Sequence, residues 1–184
     1  MPLTLDAGAV DGARRGGEAL ERLMATVWPE AFRVALAILR DRGLAEDAAQ
    51  DACAAIARAL PRLRSSSAFS AWAYKTIAAH ALTVARRRRH ALPLDAVADR
   101  ATHLDRGDVI DLHRALGTLS PQQRAVTLLH YYAGLRSEEI AAAMGVSAST
   151  VRFHLMLARR NLRKALSAPG TSLAPSSEVT SDVR

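Results

Sequence analysis

Residues 135–166, LRSEEIAAAMGVSASTVRFHLMLARRNLRKAL, constrain the fold most, because two apolar patterns of helical spacing meet at a single glycine. Ser137 is placed to cap the first helix. Glu138 and Glu139 lie at its positive end, and Ile140, Ala141 and Met144 form its apolar stripe. Gly145 lets the chain turn, and Ser147 is placed to cap a second helix. There Val151, Leu155, Leu162 and Leu166 recur at helical spacing. The opposite side keeps Arg152, Arg159, Arg160, Arg163 and Lys164, and no acidic residue occurs between Ala148 and Leu166.

A solvated basic face on an ordinary helical hairpin is the plainer explanation, but the spacing favours a helix-turn-helix. Such a motif needs a small residue where the helices cross (Ala141), a turn-former (Gly145) and a short polar start to the second helix. Ser147, Ser149, Thr150 and Arg152 supply that start and bring side chains within reach of base edges. The chain of 184 residues carries a formal charge of +7 with a pI near 10.6, so its partners are expected to be polyanions, nucleic acid first.

Hydrophobic residues make up 49%, much of it alanine, enough for small helical cores. No apolar run approaches the roughly 20 residues that span a bilayer. The opening MPLTLDAGAVDGARRGGEAL lacks the apolar core of a signal peptide, which points to a cytoplasmic protein without a membrane partner. The single Cys53 excludes an internal disulfide and a cysteine-rich zinc site, and its alanine-rich setting suits a core filler. With no phosphate loop and no clustered His, Cys or acidic ligands, neither an enzyme nor a metal or cofactor site is expected.

The fold class read from these patterns is all-α, two small helical domains joined by a flexible linker, with the helix-turn-helix in the second. A flexible Gly-rich leader covers 1–17. Residues 18–90 form the first domain, 91–107 the linker with Pro93 and Gly107, 108–166 the second domain and 167–184 a disordered Pro/Ser-rich tail. In the first domain Leu20, Leu23, Met24 and Val27 mark one helix. A second starts at Pro29, a first-turn residue, and carries Phe32, Ala35, Leu36 and Leu39 before Asp41, Arg42 and Gly43 end it. The third runs from about Leu44 to Leu60 and the fourth from about Ala68 to Arg89. In the second domain Leu112, Leu116 and Leu119 precede Ser120 and Pro121, a cap and first-position proline, and Val126, Leu129 and Tyr132 line the next helix.

Two groups in the first domain invite a functional reading. Asp47, Gln50 and Asp51 share one face of the third helix, either as a solvated surface or as a protein-docking patch. The loop Arg62–Ser70, the aromatic residues Trp72 and Tyr74, Lys75 and the run Arg86–Arg89 combine rings that stack on bases with cations that hold phosphates. Phe69 is assigned to the core.

Taken together, the two halves resemble the extracytoplasmic-function (ECF) sigma factors of the sigma-70 family, over about Glu18 to Leu166. AEDAAQDACAAI resembles the polymerase-binding segment of that family, and FSAWAYKTIAAHALTVARRRR its promoter-melting segment. The stretch LGTLSPQQRAVTLLHYYAGLRSEEIAAAMGVSASTVRFHLMLARRNLRKAL resembles the domain that reads the minus 35 element. The resemblance implies a four-helix domain that docks its third helix on core RNA polymerase through Asp47, Gln50 and Asp51. It implies melted minus 10 DNA held by Arg62, Arg64, Trp72, Tyr74, Lys75, Arg86 and Arg87, with the loop shaping a pocket for a flipped base. Ser147, Ser149, Thr150, Arg152, Phe153 and His154 then fall at the reading end of the minus 35 helix, while Arg136, Arg159, Arg160 and Arg163 fall on phosphates. Core RNA polymerase and promoter DNA are thus the implied partners, and an anti-sigma factor is left open as a third.

The chain departs from the family pattern at several positions. Ala48, Ala49 and Cys53 replace larger apolar residues, Ala79 and Thr83 stand where asparagine and aspartate are frequent, and His154 and Leu157 stand where basic residues are common. An atypical minus 35 sequence is expected. A LuxR-type regulator that binds DNA without entering polymerase is the alternative, and the nature of the amino-terminal half separates the two.

Overall fold

The computed structural model describes Leu3, residues 6–91 and residues 114–167, the side chains of residues 90 and 91 excepted. Most of the expected linker, the tail beyond Ser167 and the Leu112 position lie outside the described residues. All regular structure in the described residues is helical, as the periodicities require.

The leader does not lack structure throughout. A helix α1 spans Ala7–Ala13, with Val10 and Ala13 buried against α2 (Glu18–Leu39), and Gly16 and Gly17 turn the chain between them at φ values of 84° and 63°. Its glycines hide the signal in the sequence, because only two buried apolar side chains hold it down. The break expected before Pro29 is also absent, and α2 runs through the proline as one helix. Proline removes one helical hydrogen bond and costs on the order of 3 kcal/mol in a helix interior. Here Pro29 and Ala25, whose carbonyl loses its partner, are both exposed, so water can serve that carbonyl. Leu23 and Val27 before the proline and Ala31, Val34 and Ile38 after it remain on one buried stripe, which offsets the cost.

Arg40 ends α2 in the left-handed conformation (φ 57°), its N–H donating to the Leu36 carbonyl at 2.7 Å. Asp41 does more than stop α2. Its carboxylate accepts from the Leu44 N–H at 3.1 Å and caps α3 (Arg42–Ala59), which therefore starts earlier than its apolar pattern. Ala45, Ala48, Ala49, Ala52 and Ile56 form the buried face of α3. The small residues admit a close approach of α2 and α4, which supply the bulk: Val27, Val34, Ile38, Phe69 and Ile77. Two 3-10 turns, Leu60–Arg62 and Ser66–Ala68, lead into α4 (Phe69–Ala91). Cys53 is half-buried against this core, and burial pushes its thiol pKa up, in keeping with a filler.

In the second half, α5 (Pro121–Thr127) begins with a reciprocal cap. Ser120 Oγ accepts from Gln123 N at 3.2 Å, and Gln123 Oε1 accepts from Ser120 N at 3.0 Å. A π-helical turn, Leu128–Tyr132, follows, then α6 (Ser137–Met144) and α7 (Ala148–Leu166). The cap of α6 differs from expectation: Ser137 is already helical, Arg136 is the cap position, and Glu139 reaches back to accept from Arg136 N at 3.0 Å. Val126, Leu129, Leu135, Ile140, Ala141, Val151, Leu155 and Ala158 form the core of this half. Leu166, assigned to the apolar stripe, is 37% exposed, because the last turn of α7 extends past the helices that bury Val151 and Leu155.

The two halves touch. Arg124 of α5 is buried and donates from Nε to the Ile38 carbonyl at 2.7 Å, near the carboxyl end of α2. Gly117 lies so close to the Arg40 guanidinium that a Cβ there would fall 1.7 Å from a nitrogen, so a side chain at this position would displace the guanidinium.

Candidate nucleic-acid interface

Asp47, Gln50 and Asp51 are exposed on α3, one turn apart, as their spacing requires. The fold places them along a groove of about 410 Å³ between α3 and α4, with Leu44, Val84 and Arg87 as the other lining residues. Arg87, expected on melted DNA, thus shares a groove with Asp47, Gln50 and Asp51. The groove brings together two carboxylates, one amide, two half-buried apolar side chains and one guanidinium.

The melting segment divides into exposed cations and buried rings. Arg62, Arg64 and Arg86 are exposed, and Arg86 donates to Thr83 Oγ1 at 3.0 Å. Arg88 is held 3.5 Å from the Asp41 carboxylate. Trp72 is half-buried, its ring centroid 6.0 Å from that of Phe69, which is core as expected. Tyr74 corrects the expectation of a stacking ring: it is 2% exposed and offers no face to a base. Its hydroxyl accepts from the Leu3 N–H and donates to Glu30 Oε1, each at 2.7 Å. Burial first, and then the hydrogen bond to Glu30, push its pKa well up. Lys75 is half-buried, with Nζ 3.6 Å from Glu139 Oε1 of α6.

The helix-turn-helix is formed as its residues demand. Gly145 takes φ 66°, α6 and α7 are bent by 106° across it, and Ser147 Oγ accepts from Thr150 N at 3.1 Å. The Ser149 and Thr150 hydroxyls lie 2.7 and 2.8 Å from Ser147 Oγ, so the start of α7 is a connected polar cluster. Arg136, Arg160 and Arg163 are exposed, Phe153 is exposed and His154 half-buried. Arg152 lies on the flank of α7, 3.3 Å from Glu138 Oε1. Arg159 bonds the Tyr131 hydroxyl and sits over that ring at 5.6 Å.

Sequence reasoning missed the contacts that join the halves. Glu30, 4% exposed, is ion-paired with Arg33, and Arg33 also donates to the Tyr132 hydroxyl at 3.3 Å. The Tyr132 ring meets the Tyr74 ring edge-on at a centroid distance of 6.1 Å. A signal was available: Glu30 falls on the apolar stripe between Val27 and Val34, where a carboxylate needs a buried partner. Leu3 carried no such signal, although its carbonyl also accepts from Ser70 Oγ at 2.9 Å. Among the described residues no three His, Cys, Asp or Glu side chains converge as metal ligands would, and no single helix is long and apolar enough to cross a membrane.

Comparison with known proteins finds a family match in each half. Residues 23–91 match the family model "Sigma-70 region 2", and residues 110–162 match "Sigma-70, region 4". The ECF RNA polymerase sigma factor SigD of Mycobacterium tuberculosis is 30% identical over 182 residues, covering 90% of this chain and 85% of the relative. The RNA polymerase sigma-E factor of Streptomyces coelicolor is 38% identical over 76 residues, 41% of this chain and 40% of that one.

Two solved structures share the fold. The sigma factor RpoE of Bartonella quintana, in complex with the anti-sigma factor NepR, superposes with a TM-score of 0.64 at 21% identity, over 83% of this chain and 99% of that one. CnrH, in complex with the cytosolic domain of CnrY, gives 0.61 at 24% identity over 89% and 98%. The region 2 match over the first half disfavours the LuxR-type alternative. With a region 2 domain bearing the acidic groove and a region 4 domain bearing the basic helix, in that order, the chain belongs to the ECF RNA polymerase sigma factors of the sigma-70 family.

Proposed function

We propose that this sigma factor docks on core RNA polymerase through the α3–α4 groove, with Asp47, Gln50 and Asp51 as its polar rim. Arg62, Arg64, Trp72, Lys75 and Arg86 then hold melted minus 10 DNA, and α7 enters the major groove of the minus 35 element. Ser147, Ser149, Thr150 and Phe153 lie at the reading end, and Arg136, Arg160 and Arg163 take phosphates. The single observation that carries this reading is the groove itself. It sets three exposed polar side chains beside the half-buried Leu44 and Val84, which pack against the edge of the core.

The contact between the halves supports a weak duplex-binding state for the free protein: Lys75, a minus 10 candidate, is engaged by Glu139 of the helix-turn-helix. Polymerase docking that separates the halves would release Lys75. The two structural neighbours are each complexes with a second protein, one named as an anti-sigma factor, and an anti-sigma partner is the corresponding proposal for this chain. A cytoplasmic location and a non-enzymatic role complete the reading.

The test is in vitro transcription with purified core polymerase and mapping of transcript starts. Starts at a defined set of promoters, dependent on this protein, are the expected result. Core polymerase that gains no promoter selectivity would refute the reading, and tight sequence-specific duplex binding by the free protein would argue for an independent regulator.

A further inference from the structure

The outward face of α7 has an unexpected centre. Taking Ser149 as reference and about 100° per residue, Phe153, Met156 and Arg160 fall within roughly 40° of it, whereas Arg152 and Arg159 lie about 60–80° to one side. Burial agrees with this projection: Val151, Leu155 and Ala158 are buried on the opposite side, while Phe153 is 54% and Met156 55% exposed. The arginines on the flank have partners within the protein, Glu138 for Arg152 and Tyr131 for Arg159. The helix therefore presents two large apolar side chains, one turn apart, inside a frame of cations.

A frame of arginines selects a polyanion as the occupant, and an apolar centre selects what that polyanion must offer there. In the major groove of DNA the only apolar group on a base edge is the C5-methyl of thymine. Phe153 and Met156 are separated by about 4.5 Å along the helix axis, close to the roughly 3.4 Å between base steps, so they can meet methyl groups at neighbouring positions. We propose that Phe153 and Met156 read thymine methyl groups in the minus 35 element and are specificity-determining residues of this sigma factor. The proposal rests on the minus 35 role of α7 given above. Met156 belongs to no part of the helix that sequence spacing marks as reading.

The experiment uses the holoenzyme assembled with core polymerase and a promoter selected by it from a randomised library. Each thymine of the minus 35 element is replaced in turn by deoxyuridine, which removes the methyl group and keeps the base pair. Burying one such group corresponds to about fourfold in affinity, so the wild type is expected to lose about that factor at one or two positions. Phe153→Ala and Met156→Ala should each bind thymine and uracil promoters equally at one of those positions, and Phe153→Leu should retain part of the discrimination. Both side chains are exposed, so unchanged thermal unfolding of the variants is the control on folding.

A wild-type holoenzyme indifferent to uracil at every minus 35 position overturns the proposal. So does a selected element without thymine, or a pair of alanine variants that keep the full uracil penalty. In each case initiation from the selected promoter would still stand, so the failure is distinct from failure of the sigma-factor reading, in which no promoter is selected at all.

Discussion

Arg124 of the second domain lies with its Nε 2.7 Å from the carbonyl oxygen of Ile38 in the first, a bond across 86 residues of sequence. The Ile38 carbonyl is among the last four of α2, which have no partner within the helix, and Arg124 supplies one from outside. The same guanidinium donates to the Leu119 carbonyl at 2.8 Å, which ties the turn before α5 to the same point.

Replacing Arg124 with alanine leaves two carbonyls short of a donor at a buried contact. A loss of about 1–3 kcal/mol in unfolding free energy is expected. Urea titration of Arg124→Ala against wild type checks this. An unchanged midpoint would mean that the contact between the halves contributes nothing in solution.

The contact between Glu139 and Lys75 should depend on acid. The backbone hydrogen bond from Arg136 first, and then the Lys75 charge, hold the Glu139 carboxyl below the usual glutamate range, with partial burial opposing them. Because the folded value is depressed, the stability it confers is fully present above the unfolded value, about 4.3 for glutamate, and is lost as pH falls through the folded value. Glu139→Gln should therefore melt lower than wild type near neutrality, and the two curves should converge as pH falls below the folded value. Parallel melting points from pH 6 to 3 would show that the carboxylate contributes nothing.

Asp51 is exposed on the rim of the α3–α4 groove, so reversing its charge should leave the fold intact. If polymerase docks there, Asp51→Arg should lose on the order of 2–5 kcal/mol of affinity for core polymerase. Fluorescence titration with core polymerase, alongside an unfolding curve, separates a docking defect from a folding one. Wild-type affinity would place the docking surface elsewhere.

Arg160 stands exposed on α7 about two turns beyond Phe153, where a straight helix has left the base edges for the backbone. Arg160→Ala should weaken all promoters alike and reduce the salt dependence by about one phosphate. Arg152→Ala is expected to relax preference at one base position, because its exposed ion pair with Glu138 is too weak to withhold the guanidinium from a base edge. Promoter-library selection at two salt concentrations distinguishes a uniform loss from a base-specific one.

The sequence by itself determined the features that rest on neighbours within a helical turn or two. The caps at Ser120 and Ser147, the left-handed turn at Gly145, the stripe Ala49, Ala52 and Ile56, and the joint exposure of Asp47, Gln50 and Asp51 follow from spacings of three and four residues. Each is set by local geometry, which sequence order fixes directly. Features that depend on residues far apart in the chain were decided only in three dimensions. Leu3 meets Tyr74, Arg33 meets Tyr132 and Arg124 meets Ile38 across 71 to 99 residues, and those contacts bury a ring that spacing offered to DNA. Pro29 stays inside a helix for the same reason, since the packing of α2 on both sides of it outweighs a local preference worth on the order of 3 kcal/mol. Local preferences are small and short-ranged, whereas burial sums over every element that reaches the same core.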